Sequence, residues 1–201
     1  MIIALSGWKQ SGKDTLAERL ILEQGYVRLS FADTLKEMVS KTYDIPLEWC
    51  HSNDKKETPL SQYPVRTQDA FGEVLHDFMW GEYRKDQDDT LCHTPRSLLI
   101  LEGSVKRSVT SDFWVKTVVS IIKANPNNNY VITDVRYRSE MKQLKEEFDD
   151  QVKSIRVNRF ADSPSDDPSE RDLDNFVFDR VIENTGTLED LYKQADNLES
   201  T

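Results

Sequence analysis

The chain has 201 residues, of which 37% are hydrophobic, so it can fold around a core and is not expected to be disordered throughout. Its formal net charge is −10, from 36 acidic and 26 basic residues, which makes it a poor candidate for binding the phosphate backbone of a nucleic acid. No apolar run is long enough to span a membrane, and no basic segment precedes the first run, so we expect neither a membrane partner nor a signal peptide.

The first 24 residues predict a strand, a glycine-containing loop and a helix. The apolar run Ile2–Ser6 leads into the pattern Gly7-x4-Gly12-Lys13, and a helix is predicted at Lys13–Gln24. The glycines let the backbone fold tightly, so that its N–H groups and the helix N-terminus converge on an anion. Lys13 would then reach the outer phosphates of a nucleotide. We therefore predict that this loop binds a nucleoside triphosphate; a surface turn before an ordinary helix is the less favoured alternative.

Further strands and helices are predicted along the rest of the chain. Strands are predicted at residues 26–31, 130–134, 153–157 and 181–184. Helices are predicted from Asp33 as the N-cap to about Tyr43, at 67–83, from Thr94-Pro95 to near Gly103, and at 111–124, 139–148 and 187–196. The polar segments 44–66, 84–90 and 160–172 predict loops.

This alternation of strands and helices favours an α/β fold with a mostly parallel sheet and helices on both faces. We expect one domain over residues 1–201, with an excursion at about 44–110 and a lid-like loop at about 159–172. Ligands of such sheets bind beyond the carboxyl ends of the strands. The loop after the first strand and Asp134, at the end of a later strand, can therefore share one site.

Three side chains near these strand ends carry the chemistry expected of a nucleotide site. Asp134 ends an apolar strand, where a carboxylate can approach the magnesium ion of a bound nucleotide. Arg136 lies two residues after Asp134, and the planar guanidinium of an arginine suits a phosphate. Asp14 occupies the position after Lys13 where the usual pattern has Ser or Thr, and Thr15 comes next. The chain lacks the guanine-binding Asn-Lys-x-Asp motif and a strand-following Asp-x-x-Gly, which argues against a GTPase switch.

The two cysteines indicate a reducing compartment, and we expect a cytoplasmic protein. Each cysteine precedes a histidine, in the pairs Cys50-His51 and Cys92-His93. Two such pairs offer four zinc ligands in principle. Adjacent side chains diverge, however, and the usual Cys-x2-Cys spacing is absent, so a zinc site is not favoured.

A series of motifs runs in order along the chain, at residues 5–15, 30–36, 96–103, 113–115, 133–136 with Glu140, 169–170 and 181–186. Together they resemble the motifs of the bacteriophage deoxynucleoside monophosphate kinases. The loop of nucleoside monophosphate kinases also displaces the hydroxyl residue by one position, as Thr15 is displaced here. The 44–93 region matches the family poorly.

The resemblance implies ATP-dependent phosphorylation of deoxynucleoside monophosphates to diphosphates, in the host cell cytoplasm if the chain is phage-encoded. It implies the three-layer P-loop fold, with ATP and Mg²⁺ as cofactors. The residues implied to bind ATP are Lys9, Gln10, Ser11, Gly12, Lys13, Asp14 and Thr15. Those implied to surround the monophosphate are Ala32, Asp33, Lys36, Arg96, Gly103, Trp114, Asp134, Arg136 and Glu140. The catalytic set is Lys13, Arg136 and the lid residue Arg159, and the metal ligands are Asp14 and Asp134.

Two alternatives stay open. One is another small-molecule kinase on the same scaffold, such as a dephospho-coenzyme A or phosphomevalonate kinase. The other is an ATP-regulated binding module without an acceptor, against which Arg96, Trp114 and Arg136 speak, since a switch needs no second nucleotide pocket. An exposed apolar helix face could also support a homodimer.

Overall fold

The computed structural model describes residues 1–65, 83–110, 112–159 and 171–198. Apart from its last residue, the predicted helix at 67–83 lies outside this part, as does most of the predicted loop at 160–172. The chain divides into two compact units. The first unit comprises residues 1–31 and 114–201, and the second comprises residues 32–113.

The strands of the described residues are, in chain order, β1 (Ile2–Ser6), β2 (Val27–Leu29), β3 (Arg84–Lys85), β4 (Leu91–Cys92), β5 (Tyr130–Ile132), β6 (Val152–Asn158) and β7 (Arg180–Glu183). The helices are α1 (Lys13–Gln24), α2 (Phe31–Tyr43), α3 (Leu47–His51), α4 (Pro95–Val109), α5 (Phe113–Ala124), α6 (Arg138–Phe148) and α7 (Leu188–Asp196). Single 3-10 turns occur at Lys55–Glu57 and Asp149–Gln151.

Five strands of the first unit form one sheet in the order β2-β5-β1-β6-β7. All four pairings are parallel, and β1 lies at the centre, with Ile2 opposite Tyr130 on one side and Val152 on the other. Every residue of β1 is buried, as expected of a parallel strand covered on both faces. The prediction of a mostly parallel sheet flanked by helices is confirmed.

The core of the first unit explains why α1 and α7 pack on the sheet. One face of the sheet carries buried apolar side chains, those of Ile3, Leu5, Val131, Ile155, Val157 and Ile182. They form one cluster with Leu16 and Leu20 of α1 and with Leu191 of α7. Alternate residues of β1, Ile2 and Ala4, are buried on the opposite side, and α6 contacts β6. The sheet is thus the middle of three layers.

The start of α2 differs from the prediction. The helix begins at Phe31, so Asp33 lies in its first turn and is not its N-cap. The backbone N–H of Phe31 donates to Asp134 Oδ1 at 2.9 Å. An acceptor 103 residues away therefore satisfies one of the orphan donors at this helix start, where the sequence suggested a local cap.

The end of α4 also differs from the prediction. Thr94 is the N-cap and Pro95 opens the helix, as predicted, but the helix continues past Gly103 to Val109. Gly103 is buried, and a Cβ at this position would lie 3.3 Å from Leu35 Cδ2. The glycine serves close packing within the second unit, so it does not end the helix.

The predicted loops at 44–66 and 84–90 contain more regular structure than expected. The first includes α3 and a 3-10 turn, and the second begins with β3, which pairs antiparallel with β4. Buried Val39, Ile45, Cys50, Leu60 and Leu98 form the core of the second unit. Among the described residues, no helix is long and apolar enough to cross a membrane.

Asp179 is expected to make the first unit sensitive to acid. Burial raises the pKa of its carboxyl, but hydrogen bonds from Ser154 and from Lys145 outweigh burial, so the pKa lies below its ordinary value. A carboxyl with a depressed pKa in the folded state stabilises the fold above its unfolded-state pKa of about 3.9, and that contribution is lost as pH falls through the folded-state pKa.

We therefore expect Asp179→Asn to lower the free energy of unfolding at neutral pH, and the deficit to shrink as the pH falls below about 3.9. Urea unfolding curves recorded over a pH series test this. Asp150→Asn, at an exposed position, is the control. A deficit that is the same at every pH would contradict the prediction.

Candidate functional site

The loop between β1 and α1 presents backbone donors at the carboxyl edge of the sheet. Gly12 is the N-cap of α1, with φ 97°, and no side chain caps the first turn. The N–H groups of that turn are therefore available to an anion. The loop closes through a hydrogen bond of 3.2 Å from Ser11 N to the carbonyl of Trp8.

Two glycines let neighbouring chain segments pack tightly against this loop. A Cβ on Gly7 would lie 2.6 Å from the carbonyl oxygen of Val157 in β6. A Cβ on Gly12 would lie 2.4 Å from Asn184 Nδ2, and this amide donates to the carbonyl of Ser11 at 2.9 Å. The left-handed φ of Gly12 favours glycine as well. Both steric space and backbone conformation therefore require glycine at position 12.

The side chain of Lys13, the first residue of α1, lies against the loop that precedes it. It is 15% exposed, with Nζ 3.5 Å from the Trp8 carbonyl and 3.8 Å from Asp14 Oδ2. Both contacts are long, and the Asp14 side chain is 76% exposed, so neither holds the ammonium strongly. Lys13 can therefore exchange them for a phosphate.

The other predicted ATP-binding residues differ in exposure. Lys9 and Gln10 are exposed, and Gln10 has φ 65°, a left-handed conformation that is uncommon outside glycine. Ser11 is buried, and its Oγ has no hydrogen-bond partner among the described residues. Thr15 is half-buried in the first turn of α1.

Asp134 and the loop lie at the same edge of the sheet. Ala4 of β1 is paired with Ile132 of β5, so the residues that follow these two strands emerge side by side. Asp134 lies two residues beyond the observed end of β5, where the prediction had placed it in the strand. Its Oδ2 accepts from Ser30 Oγ at 2.9 Å. The carboxylate is thus held in place on the side of β2.

Glu140 fixes the turn that carries Arg136. Its Oε2 accepts from the backbone N–H groups of Arg136 at 2.9 Å and Tyr137 at 3.0 Å. Glu140 is 8% exposed, whereas Arg136 is exposed. The described contacts of Glu140 therefore position the backbone of Arg136, and a direct contact of Glu140 with a monophosphate remains a prediction.

Two more predicted residues of the first unit have contrasting surroundings. Trp114 is buried near the start of α5, at 4% exposure. Arg159 is exposed and borders a cavity of about 620 Å³, which is also lined by Trp8, Arg156, Phe176 and Phe178. Arg159 is thus placed beside the phosphate loop, on the side of β6 and β7.

The remaining predicted residues belong to the second unit. Asp33 and Lys36 form an ion pair of 3.0 Å, and Lys36 Nζ lies 3.4 Å from His51 Nδ1. Arg96 Nε donates to Glu57 Oε1. Ala32 is exposed at the start of α2, and Gly103 is buried in α4. The predicted monophosphate set is therefore divided between the two units.

The chemistry of the predicted metal ligands fits Mg²⁺. Asp14 and Asp134 supply carboxylate oxygens, which are hard donors of the kind that Mg²⁺ prefers. Among the described residues, no three His, Cys, Asp or Glu side chains are grouped so that they could hold a metal ion. A nucleotide-bound Mg²⁺ needs no such group, since it takes one or two carboxylates together with phosphate oxygens and water.

Sequence reasoning assigned no role to three residues that contact this loop. Asn184 holds the Ser11 carbonyl, and its only signal was its place in the segment 181–186 of the family resemblance. Arg156 contacts Ser6, and Asp174 contacts Trp8. These two contacts span 150 and 166 residues, and nothing in the local sequence pattern indicates them.

No family model matches the chain. Over 201 residues it is 28% identical to a protein of Acanthamoeba polyphaga mimivirus named "Putative deoxynucleotide monophosphate kinase", and the match covers 96% of this chain and 93% of that protein. The relative is viral, and the comparison gives no support to a bacteriophage origin in particular.

Three solved structures align with most of the chain in a structural comparison. A gluconokinase from Sinorhizobium meliloti 1021 has a TM-score of 0.40 and 12% identity, covering 96% of this chain and 87% of that one. TT1252 from Thermus thermophilus has a TM-score of 0.48 and 15% identity, and the match covers 100% of this chain and 96% of that one. A sugar kinase from Janibacter sp. HTCC2649 has a TM-score of 0.47 and 13% identity, and the match covers 99% of this chain and 94% of that one.

Proposed function

We propose that the chain transfers a phosphoryl group from ATP to a deoxynucleoside monophosphate. The observation that carries the proposal is the uncapped N-terminus of α1 at Gly12, with Lys13 lying against the loop. Such a helix start, preceded by a tight glycine loop, binds phosphate through backbone N–H groups. The printed name of the mimivirus relative, which matches nearly the whole chain, supports the choice of acceptor.

On the donor side, the loop would bind the phosphates of ATP through its backbone and Lys13. The Ser11 N–H closes the loop onto the Trp8 carbonyl and the Asn184 amide donates to the Ser11 carbonyl, so little ordering is needed when the nucleotide binds. The ammonium of Lys13 would leave its two long contacts and follow the charge of the transferring phosphoryl group.

Phosphoryl transfer between two anions requires charge neutralisation and alignment more than a covalent intermediate. Lys13, Arg136 and Arg159 are the cationic side chains that we assign to this task. A Mg²⁺ ion bound with ATP, with Asp14 and Asp134 as its protein ligands, would supply further neutralisation of the phosphate charge. The acceptor phosphate is itself nucleophilic, so no general base is required.

On the acceptor side, Arg136 would bind the monophosphate. Its backbone N–H is held by Glu140 near the carboxyl edge of the sheet, so the side chain extends from a fixed backbone position. A guanidinium binds phosphate in a bidentate geometry that an ammonium cannot reproduce. Exclusion of water by closure over this site would protect the transferring group from hydrolysis.

ADP release tests the proposed function. The protein is mixed with ATP, Mg²⁺ and each common deoxynucleoside or ribonucleoside monophosphate in turn, with Lys13→Ala as the background control. We expect release only when a deoxynucleoside monophosphate is present. Release that needs a different phosphate acceptor would support another small-molecule kinase, and strong release without any acceptor would support an ATP-regulated module.

Arg136→Ala is expected to weaken the use of the monophosphate, with kcat/KM for the acceptor falling by about a hundredfold or more. The KM for ATP should change by less than about threefold, because Arg136 is assigned to the acceptor phosphate. Steady-state kinetics with each substrate varied separately measure the two effects. Lys142→Ala, which removes an exposed cation of α6, is the matched control. A loss confined to ATP affinity would show that the acceptor role is wrong.

A further inference from the structure

The indole of Trp8, inside the phosphate loop, is fixed by two side chains from distant parts of the first unit. Its Nε1 donates to Asp174 Oδ1 at 3.1 Å. The guanidinium carbon of Arg156 lies 5.5 Å from the ring centroid, which is within the range of a cation–π contact. We infer that Trp8 is a positioning residue for the phosphate loop, held by Asp174 and Arg156; the inference rests on the proposed donor role of that loop.

Arg156 belongs to a dense set of contacts. It is 7% exposed, and buried guanidinium groups are rare unless they are paired. Its Nη2 donates to Asp174 Oδ1 at 2.8 Å, and its Nη1 donates to Ser6 Oγ at 3.2 Å. One oxygen of Asp174 therefore accepts from both Arg156 and Trp8. Charge-assisted hydrogen bonds are stronger than neutral ones, so the contact between Arg156 and Asp174 resists displacement.

These contacts hold the loop at its beginning. Ser6 is the last residue of β1 and directly precedes Gly7, and Trp8 is the next residue after that. Arg156 thus fixes the strand end, and Asp174 fixes the indole two residues later. The remainder of the loop is held at the Ser11 carbonyl by Asn184.

The backbone carbonyl of Trp8 takes part in two contacts of the same loop. That carbonyl accepts from Ser11 N at 3.2 Å and from Lys13 Nζ at 3.5 Å. Loop closure and the resting place of Lys13 therefore both use the backbone of the residue whose indole is anchored, so a shift of that residue would disturb both. Holding the loop in its binding conformation reduces the ordering cost when a triphosphate binds. The Gly-x4-Gly-Lys pattern leaves position 8 unspecified, so this role belongs to the side chain in this chain and not to the pattern.

Binding of Mg·ATPγS, measured by isothermal titration calorimetry, tests the inference. Trp8→Phe keeps an aromatic ring beside Arg156 but removes the N–H donor together with part of the indole surface, and Asp174→Asn keeps an acceptor oxygen and removes the charge. Each should raise the Kd about three- to tenfold, the range expected for loss of one hydrogen bond. In steady-state assays the KM for ATP should rise by a similar factor while kcat stays within about twofold.

Trp49→Phe is the matched control, because Trp49 also has a cation over its ring, Lys55 at 5.5 Å, but lies in the second unit. It should leave the Kd unchanged. Wild-type affinity in both Trp8→Phe and Asp174→Asn would overturn the inference and leave the donor role intact. A lower melting temperature without a change in Kd would overturn it too, since it would show a purely structural role. Failure of the wild-type protein to bind Mg·ATPγS would overturn the donor role together with the inference.

Discussion

Lys13→Ala should abolish phosphoryl transfer, with a fall of at least about a thousandfold in kcat/KM. Among the described residues of the loop and the first turn of α1, the cationic side chains are Lys13 and Lys9, and Lys9 is exposed. Loss of the Lys13 ammonium would leave the charge of the transferring phosphoryl group poorly neutralised. Measurement of ADP release with the best acceptor gives the ratio directly.

The same variant should remain folded. The Lys13 contacts are a hydrogen bond at 3.5 Å and an ion pair with the 76% exposed Asp14, and together they stabilise the fold by no more than about 1 kcal/mol. Chemical unfolding of Lys13→Ala should therefore give a free energy close to that of the wild type. Lys193→Ala, an exposed lysine of α7, is the control for loss of charge. Near-normal turnover by Lys13→Ala would contradict the assignment of the phosphate loop.

Gly12→Ala should weaken nucleotide binding by about thirtyfold or more. The alanine would be strained at φ 97°, at a cost of about 1–2 kcal/mol, and its Cβ would lie 2.4 Å from Asn184 Nδ2. Relief of that overlap requires the loop or Asn184 to move, which also loses the hydrogen bond to the Ser11 carbonyl. The N–H groups at the start of α1 would then no longer converge on one phosphate. Titration with Mg·ATPγS measures the loss.

Gly25→Ala is the matched control for backbone strain. Gly25 has φ 69° at the other end of α1, and no atom lies within 4 Å of the position of its added Cβ. It should reduce the free energy of unfolding by about 1 kcal/mol and leave nucleotide affinity unchanged. If Gly12→Ala lost only this much stability and bound nucleotide like the wild type, the close packing around the loop would have no role in binding.

The second unit was the part least accessible to sequence reasoning. Its helix α3 has five residues, and β3 and β4 have two each, lengths too short to give a recognisable periodicity. Gly103 misled the prediction because glycine often ends a helix. Here it allows Leu35 to approach α4 closely, and only the packing partner distinguishes the two uses.

The sequence by itself determined the strand, loop and helix at 2–24, the order of the strands and helices of the first unit, and hence a parallel sheet. These depend on hydrophobic periodicity and on turn residues, which act between near neighbours in the chain. The tertiary structure decided which residues hold the site. The Phe31 N–H donates to Asp134, the Asn184 amide donates to the Ser11 carbonyl, and the Trp8 indole donates to Asp174. Each contact joins residues more than 100 positions apart. Such pairs meet because the strand order β2-β5-β1-β6-β7 brings the ends of strands that are distant in the chain to one edge of the sheet, and local sequence carries no record of that order.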